Sequence, residues 1–369
     1  MAWFIGLMSG TSLDGVDGVL AQIDAAGHPR SHAHVHRLFL AHLRDELLAL
    51  NRSGPDEIHR AALAANGVSE AYAGVVADLL KQSTLAPEDI QALGAHGQTV
   101  RHRPQAFDSS GYTVQLLNGA LLAELTRIDV VCDFRNRDLA AGGQGAPLVP
   151  AFHAACFALP GEDIAALNLG GIANLTLLGA DGSVRGFDSG PANVLMDGWM
   201  RRHSGRTHDA GGAWAATGRV DTGLLDQLLA EPYFALLPPK STGRDLFDMA
   251  WLDTRLAGLQ LAAQDVMATL CELSARTVAQ ALRSSAPFTT ALHVCGGGAF
   301  NTHLMGRLQA LLPDVRVRSS MDSGIAPDQV EALAFACLAQ ACVQRRVSSL
   351  PQVTGARGAR VLGAIYPAG

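Results

Sequence analysis

A run of small, hydroxyl-bearing and glycine residues, Gly6-Leu-Met-Ser-Gly-Thr-Ser-Leu-Asp-Gly-Val-Asp17, lies between two apolar segments near the start of the chain. Phe4 to Met8 reads as a short buried strand, Asp14-Gly15 as a tight-turn dipeptide, and Val19, Ala21 and Ile23 alternate with smaller or more polar neighbours as a second strand does. The glycines therefore join strand to strand. A Walker A loop leads into a helix and carries Gly-Lys-Ser/Thr, which is absent here, so that kind of nucleotide site is excluded. What remains is a hairpin turn rich in backbone N–H groups and hydroxyls, a composition that suits phosphate oxygens. The pattern recurs further on, where Ile164 to Leu169 is apolar, Gly170-Gly171 turns the chain, Leu175 to Leu178 runs back and Ala180-Asp-Gly182 turns it again. Two such hairpins in 369 residues, more than one compact core usually holds, predict paired α/β domains.

Composition narrows the function classes. An apolar fraction of 48% fits a soluble enzyme, and a net charge of -6 argues against a nucleic-acid or anionic-membrane partner. No segment has the length of a membrane span and the chain opens on a strand instead of a signal peptide, so a cytoplasmic location is expected. Cys132, Cys156, Cys271, Cys295, Cys337 and Cys342 show no Cys-x-x-Cys pair and read as buried thiols. His32, His34 and His36 alternate along one face of an expected strand with no carboxylate nearby in sequence, and they read as solvated positions instead of metal ligands. Helical spacing is found over 69–80, 194–202, about 253–283 and 328–345. The glycine-rich 140–145 segment is the expected first domain boundary.

Further motifs follow in order: Gly94-Ala-His-Gly-Gln-Thr99, Asp133-Phe-Arg135, Gly142-Gly-Gln-Gly-Ala-Pro-Leu148, Asn168-Leu-Gly-Gly-Ile-Ala-Asn174, Phe187-Asp-Ser-Gly-Pro191, Lys240-Ser-Thr-Gly-Arg244 and Cys295-Gly-Gly-Gly-Ala-Phe-Asn301. With the first hairpin, these resemble the anhydro-N-acetylmuramic acid kinase family of the actin, hexokinase and Hsp70 superfamily, over nearly the whole chain. Ser189 and Ala192 depart from that family's usual threonine and glycine. The resemblance implies two actin/hexokinase-like (ribonuclease H-like) domains with a nucleotide and sugar cleft between them, the chain crossing back after Arg345 as family members do, which gives one domain of 1–140 plus 346–369 and a second of 141–345. It implies an ATP- and Mg²⁺-dependent enzyme that opens 1,6-anhydro-N-acetylmuramic acid and phosphorylates O6, in the recycling of cell-wall murein. A homodimer is left open.

The resemblance also assigns residues. Gly10, Thr11, Ser12, Leu13, Asp14, Gly15, Val16 and Asp17 form the first phosphate hairpin, with Asp14 or Asp17 holding hydrated Mg²⁺; Asp14 is preferred. Gly170 and Gly171 form the second phosphate loop, and Gly296, Gly297, Gly298 and Asn301 the adenosine turn. His96, Gln98 and Thr99, on an expected loop after a buried strand, and Arg135, after another, bind sugar or phosphate, with Arg135 suited to the lactyl carboxylate, and Asn174 and Glu331 bind the sugar. Asp188 is the expected base, at the end of a strand and ahead of a helix whose first turn holds Pro191. Read alone, Asp188 is equally a helix-terminal charge, Glu331 a capping-box glutamate after Asp328, and Asn301 and His303 helix-start residues. Lys240, one of two lysines with Lys81, reads as a site loop or a solvated one. Two rival functions share the fold: a hexose 6-kinase, separable by phosphorylation of free sugars, and an actin- or Hsp70-like ATPase, separable by ATP-dependent sedimentation.

Overall fold

A computed structural model describes residues 1–10, 13–238, 240–243 and 246–369. The chain forms two compact units, 1–156 with 329–369, and 157–328. The first unit opens with strands β1 (Ala2–Ser9), β2 (Gly15–Ile23), β3 (Pro29–Leu38), β4 (Ile90–Pro104), β5 (Gly111–Leu116) and β6 (Val130–Cys132). The second holds β7 (Ile164–Leu169), β8 (Ile172–Leu178), β9 (Val184–Pro191), β10 (Ala291–Cys295) and β11 (Arg316–Ser319), after which β12 (Ala364–Tyr366) returns to the first.

The two sheets have the same plan. In the first unit the order is β3-β2-β1-β4-β6-β12, and in the second β9-β8-β7-β10-β11. In each, the opening three strands form an antiparallel meander and the next two add in parallel beside the first strand. That order and sense are those of the ribonuclease H-like fold implied by the resemblance, in the paired α/β domains that the two hairpins predicted. β5 and β12 are additions to the first sheet, on β4 and β6.

Glycine placement decides how helices cover the first sheet. Gly6 of β1 and Gly94 of β4 are register partners, so two positions without side chains lie side by side. A Cβ on Gly6 would fall on the Ala332 carbonyl, and one on Gly94 on the Phe335 carbonyl. The alanine-rich helix Val330–Val343 therefore lies directly against the strands, buried on nearly every face. On the opposite face, Val68, Tyr72, Val75 and Leu79 recur at helical spacing along Glu57–Ser83 and join Leu7, Val16 and Leu20 in the core.

This packing moves both domain boundaries. The chain leaves the first unit at 156/157 and returns at 328/329, not near 140 and 345, because the helix Val330–Val343 completes the first core. The 141–156 segment stays with it, tied by Gln144 N–H to Thr354 O (2.8 Å) and Arg357 N–H to Ala141 O (2.9 Å). In the second unit the expected helix over 253–283 is two helices, Met249–Leu256 and Ala263–Ser285. Gly258, at φ 81°, ends the first. Leu270, Leu273, Val278 and Leu282 of the second helix pack into a core with Leu167, Leu175 and Phe187 of the sheet.

Candidate functional site

In the glycine hairpin of the first unit, the Gly10 carbonyl is held from two sides. Leu13 N–H donates to Gly10 O (3.2 Å) with Leu13 at φ 58°, and Gln98 Nε2 donates to the same carbonyl at 3.1 Å. Leu13 and Val16 bury their side chains, and a Cβ on Gly15 would strike the Arg37 carbonyl, so these three offer backbone only. Asp14 is exposed at the turn. Thr11 and Ser12 lie outside the described residues.

Asp17 points elsewhere. It pairs with His36 across β2 and β3, and its Oδ1 accepts hydrogen bonds from His34 Nε2 (3.1 Å) and His36 Nδ1 (3.0 Å). Burial raises its pKa, but the two histidine bonds outweigh that and hold the carboxyl below its usual range. The carboxylate missing from the histidine run in sequence thus comes from the neighbouring strand. Among the described residues no group of three His, Cys, Asp or Glu side chains is arranged to hold a metal.

His96, Gln98 and Thr99 lie within β4 and not on a loop after it, because β4 continues to Pro104 in pairing with β5. Gly97, at φ 77°, makes the local kink. His96 Nε2 accepts from Arg135 Nε (3.0 Å) and Nη2 (2.9 Å), and burial and that positive charge hold the imidazole well below its usual pKa, hence neutral. Arg135 Nη1 donates to Gly145 O at 2.8 Å. Three of the five guanidinium donors are thereby spent and two remain for a ligand. Burial brings Arg135 down to about 10, opposed by the charge of Glu331. Gln98 is fully buried, and its Oε1 has no hydrogen-bond partner. Thr99 Oγ1 accepts from Gln115 Nε2 (3.3 Å).

The helix carrying Glu331 begins at Val330 with Gln329 as N-cap and no side-chain cap bond, so the expected capping box does not form. Asp188 does not end its strand either. β9 runs on to Pro191 in pairing with β8, and the next helix, Asn193–Ser204, starts five residues after Asp188. The helix terminus is therefore not what sets its charge.

Asp188 is held by its own sheet and by the 240–242 segment. Its Oδ1 accepts from Asn174 Nδ2 (2.7 Å) and its Oδ2 from Thr242 N–H (3.0 Å). Burial nevertheless prevails and pushes its pKa above the ordinary value, with those two hydrogen bonds opposing. Asn174, which the resemblance assigns to the sugar, also orients this carboxylate. Backbone bonds complete the frame: Asp188 N–H donates to Lys240 O (3.1 Å), and the Tyr233 hydroxyl donates to Asp188 O (2.7 Å). Lys240 Nζ donates to the Tyr233 and Phe234 carbonyls (3.3 and 3.2 Å) and sits 4.8 Å from the centre of the Tyr233 ring. It is a brace.

The glycine turns of the second unit differ among themselves. Carbonyls of Gly170 and Gly171 accept from the N–H groups of Ala192, Asn193 and Val194, and a Cβ on either glycine would meet nothing closer than 3.7 Å. Open space beside a turn whose carbonyls are already spent fits a phosphate cradle. Gly297 likewise faces open space, whereas Cβ atoms on Gly296 and Gly298 would press on Leu169. Of the three, Gly297 is the one beside which an added side chain would find open space. Asn301 caps the helix Thr302–Leu311, its Oδ1 accepting from Leu304 N–H (3.0 Å), and His303 lies in that helix's first turn.

Two contributors, Tyr233 and Asp138, were not legible in the sequence, and a third, Thr242, was visible only as part of the Lys240-Ser-Thr-Gly-Arg244 motif. Asp138 is fully buried; its Oδ2 accepts from Gly145 N–H (2.8 Å) and its Oδ1 from Thr354 Oγ1 (2.9 Å). It fixes the glycine whose carbonyl positions Arg135. The dense glycine run after it, 142–145, was the one available signal.

The family model for anhydro-N-acetylmuramic acid kinase matches residues 2–368. An anhydro-N-acetylmuramic acid kinase of Variovorax paradoxus is 57% identical, covering 99% of each chain, and one of Bordetella petrii is 58% identical, covering 99% of this chain and 96% of its own. A third, of Albidiferax ferrireducens, is 55% identical with 99% of each covered.

Proposed function

This chain belongs to the anhydro-N-acetylmuramic acid kinase family, a kinase acting on an alcohol group, and from that premise we propose how its residues divide the work. The acceptor, 1,6-anhydro-N-acetylmuramic acid, has O6 locked in an internal ether and no hydroxyl proton to remove there. Ring opening must therefore accompany phosphoryl transfer. Asp188 takes a proton from a water that attacks the anomeric carbon, while O6 leaves toward the γ-phosphoryl group of ATP, joining inverting glycosidase logic to kinase logic. The phosphoryl group replaces the proton that a general acid would deliver. The single observation that carries this reading is Asp188: a carboxylate fixed at both oxygens and yet raised in pKa by burial, as a general base near neutral pH requires.

The remaining roles follow from donor chemistry. The hairpin from Gly10 to Val16 and the Gly170-Gly171 turn present backbone to phosphate, and Gly297 borders the adenosine. Mg²⁺ neutralises charge on the ATP phosphates when bound, and the exposed Asp14 is the carboxylate we assign to its hydration shell. Arg135 directs its two unspent donors to the lactyl carboxylate, and Glu331 and the Gln98 oxygen serve the sugar hydroxyls. We place the reaction in murein recycling in the cytoplasm, where ATP is supplied and the six free thiols stay reduced.

Mass spectrometry of products from a panel of anhydro and free amino sugars with Mg-ATP tests the function. N-acetylmuramic acid 6-phosphate from the anhydro sugar is the expected result; phosphorylation of free hexoses alone favours the hexose-kinase alternative. The raised pKa of Asp188 predicts a pH profile. Because the base works only when ionised, kcat/KM falls with decreasing pH, with its midpoint above the ordinary aspartate value of about 3.9. A midpoint at or below that value removes Asp188 from the role. Gly10→Val, which puts a branched side chain where phosphate meets backbone, is expected to raise the KM for ATP by about 10–10²-fold, the equivalent of a ~1–3 kcal/mol steric cost. Sugar KM stays near the parent value; an equal rise in both would move the phosphate site elsewhere.

A further inference from the structure

Thr242 carries an unused functional group beside the base. Its N–H holds Asp188 Oδ2 at 3.0 Å, while its hydroxyl Oγ1 is buried and has no hydrogen-bond partner. Native proteins pair buried hydroxyls because an orphan costs about 1–3 kcal/mol. One retained next to a candidate base points to a partner that arrives with the substrates. The segment that carries it is braced by the Asp188 N–H bond to Lys240 O, and by the Lys240 ammonium on the Tyr233 and Phe234 carbonyls. Tyr233 in turn donates to Asp188 O, so base and hydroxyl share one frame.

We propose that Thr242 Oγ1 is the second holder of the nucleophilic water, accepting one of its hydrogens while Asp188 accepts the other. This rests on the hydrolytic reading of the reaction given above. A water held by Asp188 alone rotates about one hydrogen bond. With both hydrogens directed into the protein, a lone pair is left for the anomeric carbon. On attack the bond from water oxygen to that carbon forms and the bond from carbon to O6 breaks. O6 bonds to the γ-phosphorus as ADP leaves, and the water proton passes to Asp188 and then to solvent. Thr242 stays neutral throughout.

The test uses Thr242→Val and Thr242→Ser in the full-length protein. Both keep the backbone N–H that holds Asp188, but only serine keeps a hydroxyl. Thr242→Val is expected to lower kcat by about 10²-fold, the scale for one positioned hydrogen bond at a reacting centre. KM for sugar and ATP should change less than threefold, and thermal stability should hold or rise because an orphan hydroxyl has been removed. Thr242→Ser should retain kcat within about fivefold of the parent. Wild-type turnover in ¹⁸O-water, with the label located in the product, is run alongside. Label on the anomeric carbon with full kcat in Thr242→Val overturns the role of Thr242 alone, as does a serine variant as slow as the valine. If label appears in the wild-type phosphate instead, the hydrolytic reading itself falls. An unfolded Thr242→Val leaves the decision to Thr242→Ser, whose kcat falling by the full 10²-fold overturns the proposal.

Discussion

Asp188→Asn is expected to abolish ring opening and phosphorylation together. Loss of a positioned general base typically costs ~10²–10⁴ in rate, and here the two bond changes depend on one activated water, so neither half proceeds alone. Binding of sugar and nucleotide should persist, because the asparagine keeps the volume and neither substrate depends on the proton acceptor. The variant's amide meets two donors, Asn174 Nδ2 and Thr242 N–H, with only one oxygen. A local readjustment follows, which calorimetric titration of both ligands separates from loss of the base. In ¹⁸O-water the wild type should place label on the anomeric hydroxyl and none in the phosphate, with the α-anomer formed first because water enters opposite the bridging oxygen. A variant that opens the ring without consuming ATP would divide the reaction into separate hydrolysis and kinase steps.

Gly94→Val should be strongly destabilising, as should the same change at its register partner Gly6. The Gly94→Val side chain would meet the backbone carbonyl of Phe335, which cannot rotate aside as a side chain can. Overpacking of a core usually costs 1–3 kcal/mol; a clash with the main chain of a buried helix should reach about 3 kcal/mol or more, a large part of a domain's ~5–15 kcal/mol. Thermal unfolding is expected to shift down on the order of 10 °C. Activity falls as well, since the displaced helix carries Glu331 and also Phe335, whose ring lies 4.8 Å from that of His96. Gly306→Ala is the control: a Cβ there meets nothing within 4 Å inside the helix Thr302–Leu311, so stability should rise by up to about 1 kcal/mol. A Gly94→Val melting point within two degrees of the parent would show that the helix is not seated on that glycine.

The sequence carried the strands well, for local reasons. β7 and β10 are short apolar runs closed by glycines, and their ends are found where those glycines stand. Asp188 shows where local reasoning stops. Gly190-Pro191 reads as a helix start, yet β8 draws both residues into the sheet, so a partner strand and not the local motif ends β9. The helix break after Leu256 was hidden because Leu259 and Leu261 prolong the apolar spacing through the turn. Thr242 and Tyr233 reach Asp188 from 54 and 45 residues away, and Asp138 reaches Thr354 from 216. No period or spacing encodes such pairs; they exist only once the sheets have assembled. Resemblance supplied the candidate base and the candidate phosphate turns, while the groups that hold that carboxylate in place came from the structure.

The division of the first unit into two stretches of chain has a consequence for synthesis. Ser31 bonds to Gln329 across 298 positions and Gln340 to Asp24 across 316. A ribosome emitting about 5–20 residues per second releases all of 157–328 before it releases the helix that covers Gly6 and Gly94. The middle of the polypeptide therefore matures first, and the amino-terminal strands wait with one face bare. Closing loops of that span is entropically slow, so the nascent first unit is the stage most exposed to chaperones and to proteolysis. A chain stopped near residue 328 would carry one finished unit and one that has no means of finishing.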